Sequence, residues 1–229
     1  CETECTRCSL DEAVAIDDIK KFIAEQDLKS DTRFVPKRRH EYGNKIAIIG
    51  AGPSGLSCAY YLAIDGYNVT VFEKQHALGG MLTLGIPSYR LEKDVVNAEI
   101  EILKEMGVTF KTGVEIGKDI SLDELRRQGY EAFYLAIGAQ SGRKLGIEGE
   151  DAKGVIPGVE FLLDVNSGNE VDVSGDVVVI GGGNVAIDVA RTATRAGANS
   201  VEMFCLENRQ EMPALDEEIE EAKSEDILI

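Results

Sequence analysis

Two glycine-rich turns and a cluster of cysteines carry the chemistry that can be read in this chain of 229 residues. The first turn is Gly50-Ala51-Gly52-Pro53-Ser54-Gly55; the second is Gly181-Gly182-Gly183-Asn184-Val185-Ala186. Each follows an apolar run, opens a helix-like stretch and has an acidic residue about twenty positions further on. In a G-x-G-x-x-G turn the first glycine permits the tight bend. The second lets backbone N–H groups approach a pyrophosphate, and the third lets helix and strand pack closely. The helix that starts there offers unpaired N–H donors and the positive end of its dipole to phosphate. Two such turns suggest a protein that holds two dinucleotides and moves electrons between them. Hydride transfer between two ring cofactors needs the rings face to face at roughly 3–3.5 Å more than it needs acid–base groups. No catalytic side chain is therefore expected.

The elements around the turns support the spacing. Residues 45–49 are mostly apolar and β-branched, which suits a strand covered on both faces of a parallel sheet. The helix that follows has Leu56, Ala59, Tyr60 and Ala63 on one face and stops near Gly66. A second strand, 68–72, leads to Glu73, whose carboxylate can accept hydrogen bonds from ribose hydroxyls. The pattern recurs with a strand at 176–180, then Gly181, Gly183 and Ala186, with alanine at the third position. A helix over 184–196 follows, with Val185, Val189, Ala193 and Ala196 at helical spacing, then a strand at 201–206 and Glu207. One Rossmann sheet cannot carry both turns, so the fold class is α/β with two Rossmann-like dinucleotide-binding domains. The strand at 133–137 reads as core. The acidic run 216–221 reads as a solvated helix.

Composition narrows the partners. The net charge is −17, from 24 basic and 41 acidic residues, which argues against nucleic acid and anionic membrane. No apolar run approaches the roughly 18 residues of a membrane span, and the polar start is not a signal peptide. Three of the five cysteines, Cys1, Cys5 and Cys8, crowd the N-terminus with spacing C-x3-C-x2-C. Alone, that spacing fits an iron–sulfur ligand set, a zinc site or a reactive tail. Cys58 and Cys205 read as core residues. No C-x2-C or C-x4-C pair lies near either glycine turn, which counts against a disulfide reductase. A reducing cytoplasm fits this usage. His40 and His76 show no metal-ligand spacing. The basic run in Arg33-Phe34-Val35-Pro36-Lys37-Arg38-Arg39 reads as a solvated connector.

The stretch after Glu73 sharpens the reading. It holds Glu73-Lys74-Gln75, Gly79-Gly80-Met81-Leu82 and Gly85-Ile86-Pro87-Ser88-Tyr89-Arg90-Leu91. Read alone, Gly79-Gly80 is a plain turn and Arg90 a surface arginine. The pattern also resembles the NAD(P)H- and FAD-binding module of the glutamate synthase small subunit. Dihydropyrimidine dehydrogenase, in its N-terminal half, and subunits of electron-bifurcating ferredoxin:NAD(P) oxidoreductases share this module. The resemblance runs on through Asp94-Val95-Val96-Asn97, Glu105-Met106-Gly107-Val108 and Met212-Pro213-Ala214.

The resemblance implies that the run from Gly50 to Gly55 holds the FAD pyrophosphate, with Ala51, Gly52, Pro53 and Ser54 between. It implies that Glu73, with Lys74 beside it, holds the FAD ribose. Gly80, Met81 and Leu82 would line the FAD, Arg90 would contact the flavin end or its phosphates, and Val114 would touch the adenine. Ala136 and Gly138 would end the strand that closes the FAD sheet. Gly181, Gly182, Gly183, Asn184, Val185 and Ala186 would hold the nicotinamide dinucleotide. NADPH-using members often carry Tyr-Arg-Arg after this second strand; here the run is Cys205-Leu206-Glu207, so NAD is favoured over NADP, with Arg209 close enough to serve a 2′-phosphate. Cys1-Glu2-Thr3-Glu4-Cys5 matches a pair at the end of the family's iron–sulfur domain. Cys1, Cys5 and Cys8 are then expected as ligands of a 4Fe–4S cluster, Cys8 being extra to the pattern.

The expected organisation is the end of a helical iron–sulfur domain and linker over 1–40, then an FAD domain over 41–145. An inserted NAD(P) domain over 146–229 is expected to be incomplete, the chain being part of a longer polypeptide. The expected function is a cytoplasmic oxidoreductase module passing electrons between NAD(P)H, FAD and iron–sulfur clusters toward a partner subunit or domain, in an electron-bifurcating complex or an NADPH-dependent glutamate synthase. The competing readings are a flavin monooxygenase or amine oxidase, and a nucleotide-binding redox sensor without turnover.

Overall fold

Apolar, β-branched runs placed before glycine turns give two separate parallel sheets. The computed structural model describes every residue but Cys1, Thr3 and Arg143. The elements are α1 (Ile16–Leu28), β1 (Lys45–Ile49), α2 (Pro53–Asp65), β2 (Asn68–Glu73), α3 (Met81–Leu84), α4 (Lys93–Glu105), β3 (Thr109–Thr112), α5 (Leu122–Arg127) and β4 (Tyr130–Leu135). After these come α6 (Gly158–Asn166), β5 (Asp176–Ile180), α7 (Asn184–Arg195), β6 (Ser200–Phe204) and α8 (Asp216–Ser224). The first sheet has the order β3-β2-β1-β4, all parallel; the second pairs β5 with β6, also parallel.

Both α2 and α7 lie at a strand-to-helix turn, as the glycine patterns predict. The buried residues of α2 are Gly55, Ala59 and Ala63, with Leu56 and Tyr60 packed against the same core as β1, β2 and α4. Small side chains on this stripe let the helix sit close to the sheet. The stripe on α7 matches the expected one in part: Ala193 is buried and Val189 packs against the core, whereas Val185 and Ala196 are exposed. Its buried apolar residues are Ile187, Ala190 and Ala193, while Val185 is exposed. The predicted series stepped by four, four and three residues from Val185. The real stripe is rotated toward β5, β6 and α8, which leaves Val185 on the loop side.

The strand predicted at 133–137 is also corrected. β4 begins earlier, pairing Tyr130 with Lys45, and it is a sheet edge rather than core. Leu135 and Ile137 are more than half exposed. The basic run is exposed at Lys37, Arg38 and Arg39, as a solvated connector should be, and it is also bonded to the first unit. Arg33 donates to Ala98 O (2.7 Å) and Glu99 (2.7 Å), Arg38 to Tyr67 O (2.7 Å), and the Arg39 N–H to Ile64 O (2.7 Å). The segment therefore straps the outer face of the first sheet's helices.

The second unit is clasped at its end by Glu225. This carboxylate accepts hydrogen bonds from Arg191 (2.7 Å) and Arg195 (2.9 Å), tying the end of α8 to α7. The bond from Arg195, first among the causes, holds Glu225 at about 2, against burial that pushes it up. A depressed carboxylate contributes stability above its ordinary value and loses it as pH falls toward the folded value. Glu225→Gln is therefore expected to cost about 2 kcal/mol at neutral pH, as for a charge-assisted bond. In denaturant titrations, the gap to wild type should close as pH drops below about 4. A gap that does not change with pH would remove the clasp from the account.

Candidate functional site

The first cleft is built at the C-terminal ends of β1, β2 and β4, where open parallel sheets take their ligands. Gly50 leaves β1 with φ +106°, and a Cβ there would lie 2.2 Å from Ala136 O. Gly55 packs α2 on the strand: its Cβ would lie 2.0 Å from Gly50 O. Gly52 is different. The nearest heavy atom to a Cβ there is Gly80 Cα at 4.0 Å, so the space over its backbone is open. Two glycines serve the bend and the packing, and the third keeps a surface clear.

Glu73, at the end of β2, is only 5% exposed. One carboxylate oxygen accepts the Ala51 N–H (2.8 Å) and the other the Gln75 N–H (2.9 Å). These bonds fix the carboxylate across the mouth of the glycine turn with acceptor capacity left over. Val114 N–H donates to Glu73 O (2.9 Å), which brings the loop after β3 alongside. The Gly79 N–H donates to Ala51 O (2.9 Å), and Gly80, with φ +55°, lies against Gly52. Composition alone reads this segment as a plain turn; here it is bonded to the glycine loop and starts α3 at Met81.

The resulting cleft has a volume of about 490 Å³, within the range of small-ligand sites. Its walls include Gly50, Gly52, Pro53, Ser54, Glu73, Lys74, Gly80, Met81, Val114, Ala136 and Gly138. Ala51 and Gly55 lie behind the wall, buried. Leu82 is in α3 outside the lining. Leu135 and Ile137, read from the sequence as core, line the cleft, and this accounts for their exposure.

The second glycine turn has the same strand-turn-helix form. Gly183 caps α7, and the Ala186 N–H donates to Gly183 O (2.9 Å). Gly181 has φ +143°, and a Cβ on it would lie 3.3 Å from Ala186 Cβ, so the alanine at the third position leaves little room for a side chain at the first. Glu207 reaches the turn from beyond β6: its Oε2 would stand 3.2 Å from a Cβ on Gly182. The Met212-Pro213-Ala214 segment folds over the turn. Ala214 N–H donates to Gly182 O (3.1 Å) and Leu215 N–H to Asn184 Oδ1 (2.9 Å). Arg209 points away, toward Asp216 (2.8 Å) and Glu220 (3.1 Å).

Arg90 is outside the cleft lining and between the two units. Its guanidinium donates to both oxygens of Asp188 (2.9 and 3.0 Å) and meets Glu218 at 2.5 Å. Burial pushes both carboxyls above their ordinary values, with Arg90 opposing. Asp188 and Glu218 were not singled out by sequence reasoning. Only a polar residue interrupting the buried stripe of α7 marked Asp188. Glu218 was submerged in the acidic run, although α8 buries Ile219 and Ala222 against the core.

Among the described residues, no group of three potential metal ligands comes together. Cys5 and Cys8 sit on one short turn, with the Cys8 N–H donating to Cys5 O (3.0 Å). Backbone N–H bonds, from Val14 first, lower the Cys5 thiol. Two cysteines three positions apart, Cys8 exposed and Cys5 half-buried, with a thiolate favoured at one, fit part of a cluster ligand set. Cys1 lies outside the described residues.

Comparison with known proteins agrees with this geometry. The model of the pyridine nucleotide-disulphide oxidoreductase family matches residues 44–227. The chain is 42% identical to the NADP(+)-dependent formate dehydrogenase subunit beta of Moorella thermoacetica, over 100% of this chain and 36% of that protein. It is 35% identical to the glutamate synthase (NADPH) small chain of Escherichia coli, over 99% of this chain and 50% of that one. Among solved structures, FprA of Mycobacterium tuberculosis in complex with NADPH matches 81% of this chain and 48% of its own, at TM-score 0.68 and 25% identity. The chain spans about a third to a half of these curated relatives.

Proposed function

This chain belongs to the pyridine nucleotide-disulphide oxidoreductase family, and from that premise we propose that it is the dinucleotide-binding part of an electron-transfer flavoenzyme, with FAD at the first glycine turn and NAD at the second. One observation carries the reading. The Gly52 backbone faces open space while the Glu73 carboxylate is pinned beside it by Ala51 and Gln75, which is the pairing a pyrophosphate and its ribose require.

FAD, when bound, accepts two electrons from a hydride donor and releases them singly. The chain's own residues bind and orient. The N-terminus of α2 and the Gly52 backbone hold the diphosphate. Glu73 accepts from the ribose. Gly80 and Met81 close one wall, and Leu135 and Ile137 exclude water from the other. At the second turn Gly182, Gly183 and Asn184, with the start of α7, hold the other diphosphate, and Glu207 accepts from its ribose diol. The names of the relatives speak for NADP(H). The residues of this chain speak for NAD(H), because the Glu207 carboxylate, which would repel a 2′-phosphate, lies beside the second glycine turn and Arg209 is engaged elsewhere.

Cys5 and Cys8, with Cys1, would hold a 4Fe–4S cluster together with a ligand from elsewhere. The relatives' designations as a subunit and a small chain support a partner that takes the electrons onward. Anaerobic titration of the intact protein with NADH tests the core of this reading. Bleaching of a bound flavin band is the expected result. A bound flavin that NADH leaves untouched would support a nucleotide-binding sensor instead, and protein purified without flavin would overturn the proposal.

A further inference from the structure

Among the described residues, the long-range hydrogen bonds and ion pairs between the two units all come from one short stretch of the first. Asn166, at the end of α6, donates to Leu84 O (3.1 Å) and Gly85 O (3.3 Å). The Tyr89 hydroxyl donates to Asp188 O (3.4 Å), and Arg90 takes Asp188 and Glu218 together. Every one of these bonds lands within residues 84–90. That stretch begins in α3, whose first residue, Met81, lines the cleft. Asp188 sits on α7, the helix that starts at the second glycine turn.

Arg90 is 26% exposed, and its partners Asp188 and Glu218 are 8% and 14% exposed. A planar guanidinium can bond two carboxylates at once in fixed directions; an ammonium cannot. The Tyr89 ring is held in turn between Arg195, 4.0 Å from its centroid, and Arg191 at 4.8 Å. Arg191 also faces Glu218 at 3.5 Å, and it reaches Glu221 and Glu225. The wall of the first site is thereby fastened to the helix that forms the second.

We propose that Arg90 is a positioning residue that sets the distance between the two dinucleotide sites, acting through Asp188 and Glu218. The inference rests on the function proposed above. It differs from a role for Arg90 in holding flavin, because Glu218 stands outside the cleft and can be changed without touching it. Misplacement of reacting rings by about 1 Å costs up to a hundredfold in rate.

The test uses the intact protein carrying Arg90→Ala, Glu218→Gln, the double substitution, and Arg90→Lys. Arg90→Ala and Glu218→Gln are each expected to slow flavin bleaching at saturating NADH by about tenfold to a hundredfold. Flavin content and the NADH concentration at half-maximal rate should stay within about twofold of wild type. The double variant should be no slower than Arg90→Ala, since both remove one fastening. Arg90→Lys, holding one carboxylate at a time, should fall between. Hydrogen exchange of the flavin-free protein gives a second readout: amides in 84–91 should lose protection in both single variants while β1 and β5 keep theirs. A Glu218→Gln protein with wild-type rate and wild-type exchange would overturn the inference, as would loss of flavin confined to the Arg90 variants. If wild type itself fails to bleach, the functional reading falls, and the exchange data still decide whether the fastening exists.

Discussion

Gly52→Ala is expected to purify with less than about a tenth of the wild-type flavin while the flavin-free protein melts at an unchanged or slightly higher temperature. The backbone at Gly52 has φ −75° and ψ −179°, a conformation alanine adopts without strain. A Cβ there meets no heavy atom nearer than 4.0 Å. Folding therefore does not require glycine at this position. Binding does, because the added methyl occupies the space through which a pyrophosphate reaches the backbone N–H groups. Gly55→Ala provides the contrast. Its Cβ would lie 2.0 Å from Gly50 O. The helix must move off the strand, so flavin content and apoprotein stability should fall together, stability by about 1–3 kcal/mol. Absorbance of the purified proteins and thermal melts after flavin removal check both. A Gly52→Ala apoprotein as unstable as Gly55→Ala would sink the division of labour among the glycines, and normal flavin content would sink the cofactor reading of this turn.

The parts of this site that were legible in the sequence are those fixed by backbone geometry. A glycine turn between a strand and a helix can be read because only glycine tolerates φ +106° beside Ala136 O. Glu73 was legible because the βαβ unit sets its distance from that turn. The face of α7 was legible at Val189 and Ala193 but not at Val185 and Ala196, because periodicity cannot tell which of two adjacent stripes meets the sheet. That depends on where α8 packs, and α8 arrives about thirty residues later in the chain. β4 was misread because an apolar strand end looks alike whether it faces a core or a ligand cleft. Arg90 needed the tertiary fold entirely: its partners Asp188 and Glu218 are about a hundred residues away or more and carry no local signal. Charged residues within an acidic run are indistinguishable until one of them turns inward.

Discrimination between the nicotinamide cofactors should be the other large effect. NADH is expected to exceed NADPH by about tenfold or more in kcat/KM, roughly the 1.4 kcal/mol that a like-charge contact at a partly exposed site can supply. Glu207 is exposed, and its Oε2 overhangs Gly182, so on the proposed reading its charge would lie beside the ribose of a dinucleotide held at this turn. A phosphate there would meet a carboxylate, while a free diol would donate to it. Glu207→Gln should bring the two cofactors to within about threefold of each other by removing the repulsion. Inversion needs a cation, and Arg209, two residues on in sequence, is the candidate, but its guanidinium is held by Asp216 and Glu220. Adding Asp216→Asn and Glu220→Gln to Glu207→Gln should therefore raise NADPH activity further, whereas the same pair in the wild-type background should change little. Because these charges are exposed, the preference should also shrink as ionic strength rises past about 0.15 M, where the screening length is about 8 Å. Rates of flavin bleaching with each cofactor, across salt, decide the matter. A wild-type protein that prefers NADPH, or a preference indifferent to salt and to Glu207→Gln, would show that discrimination lies in residues other than this carboxylate.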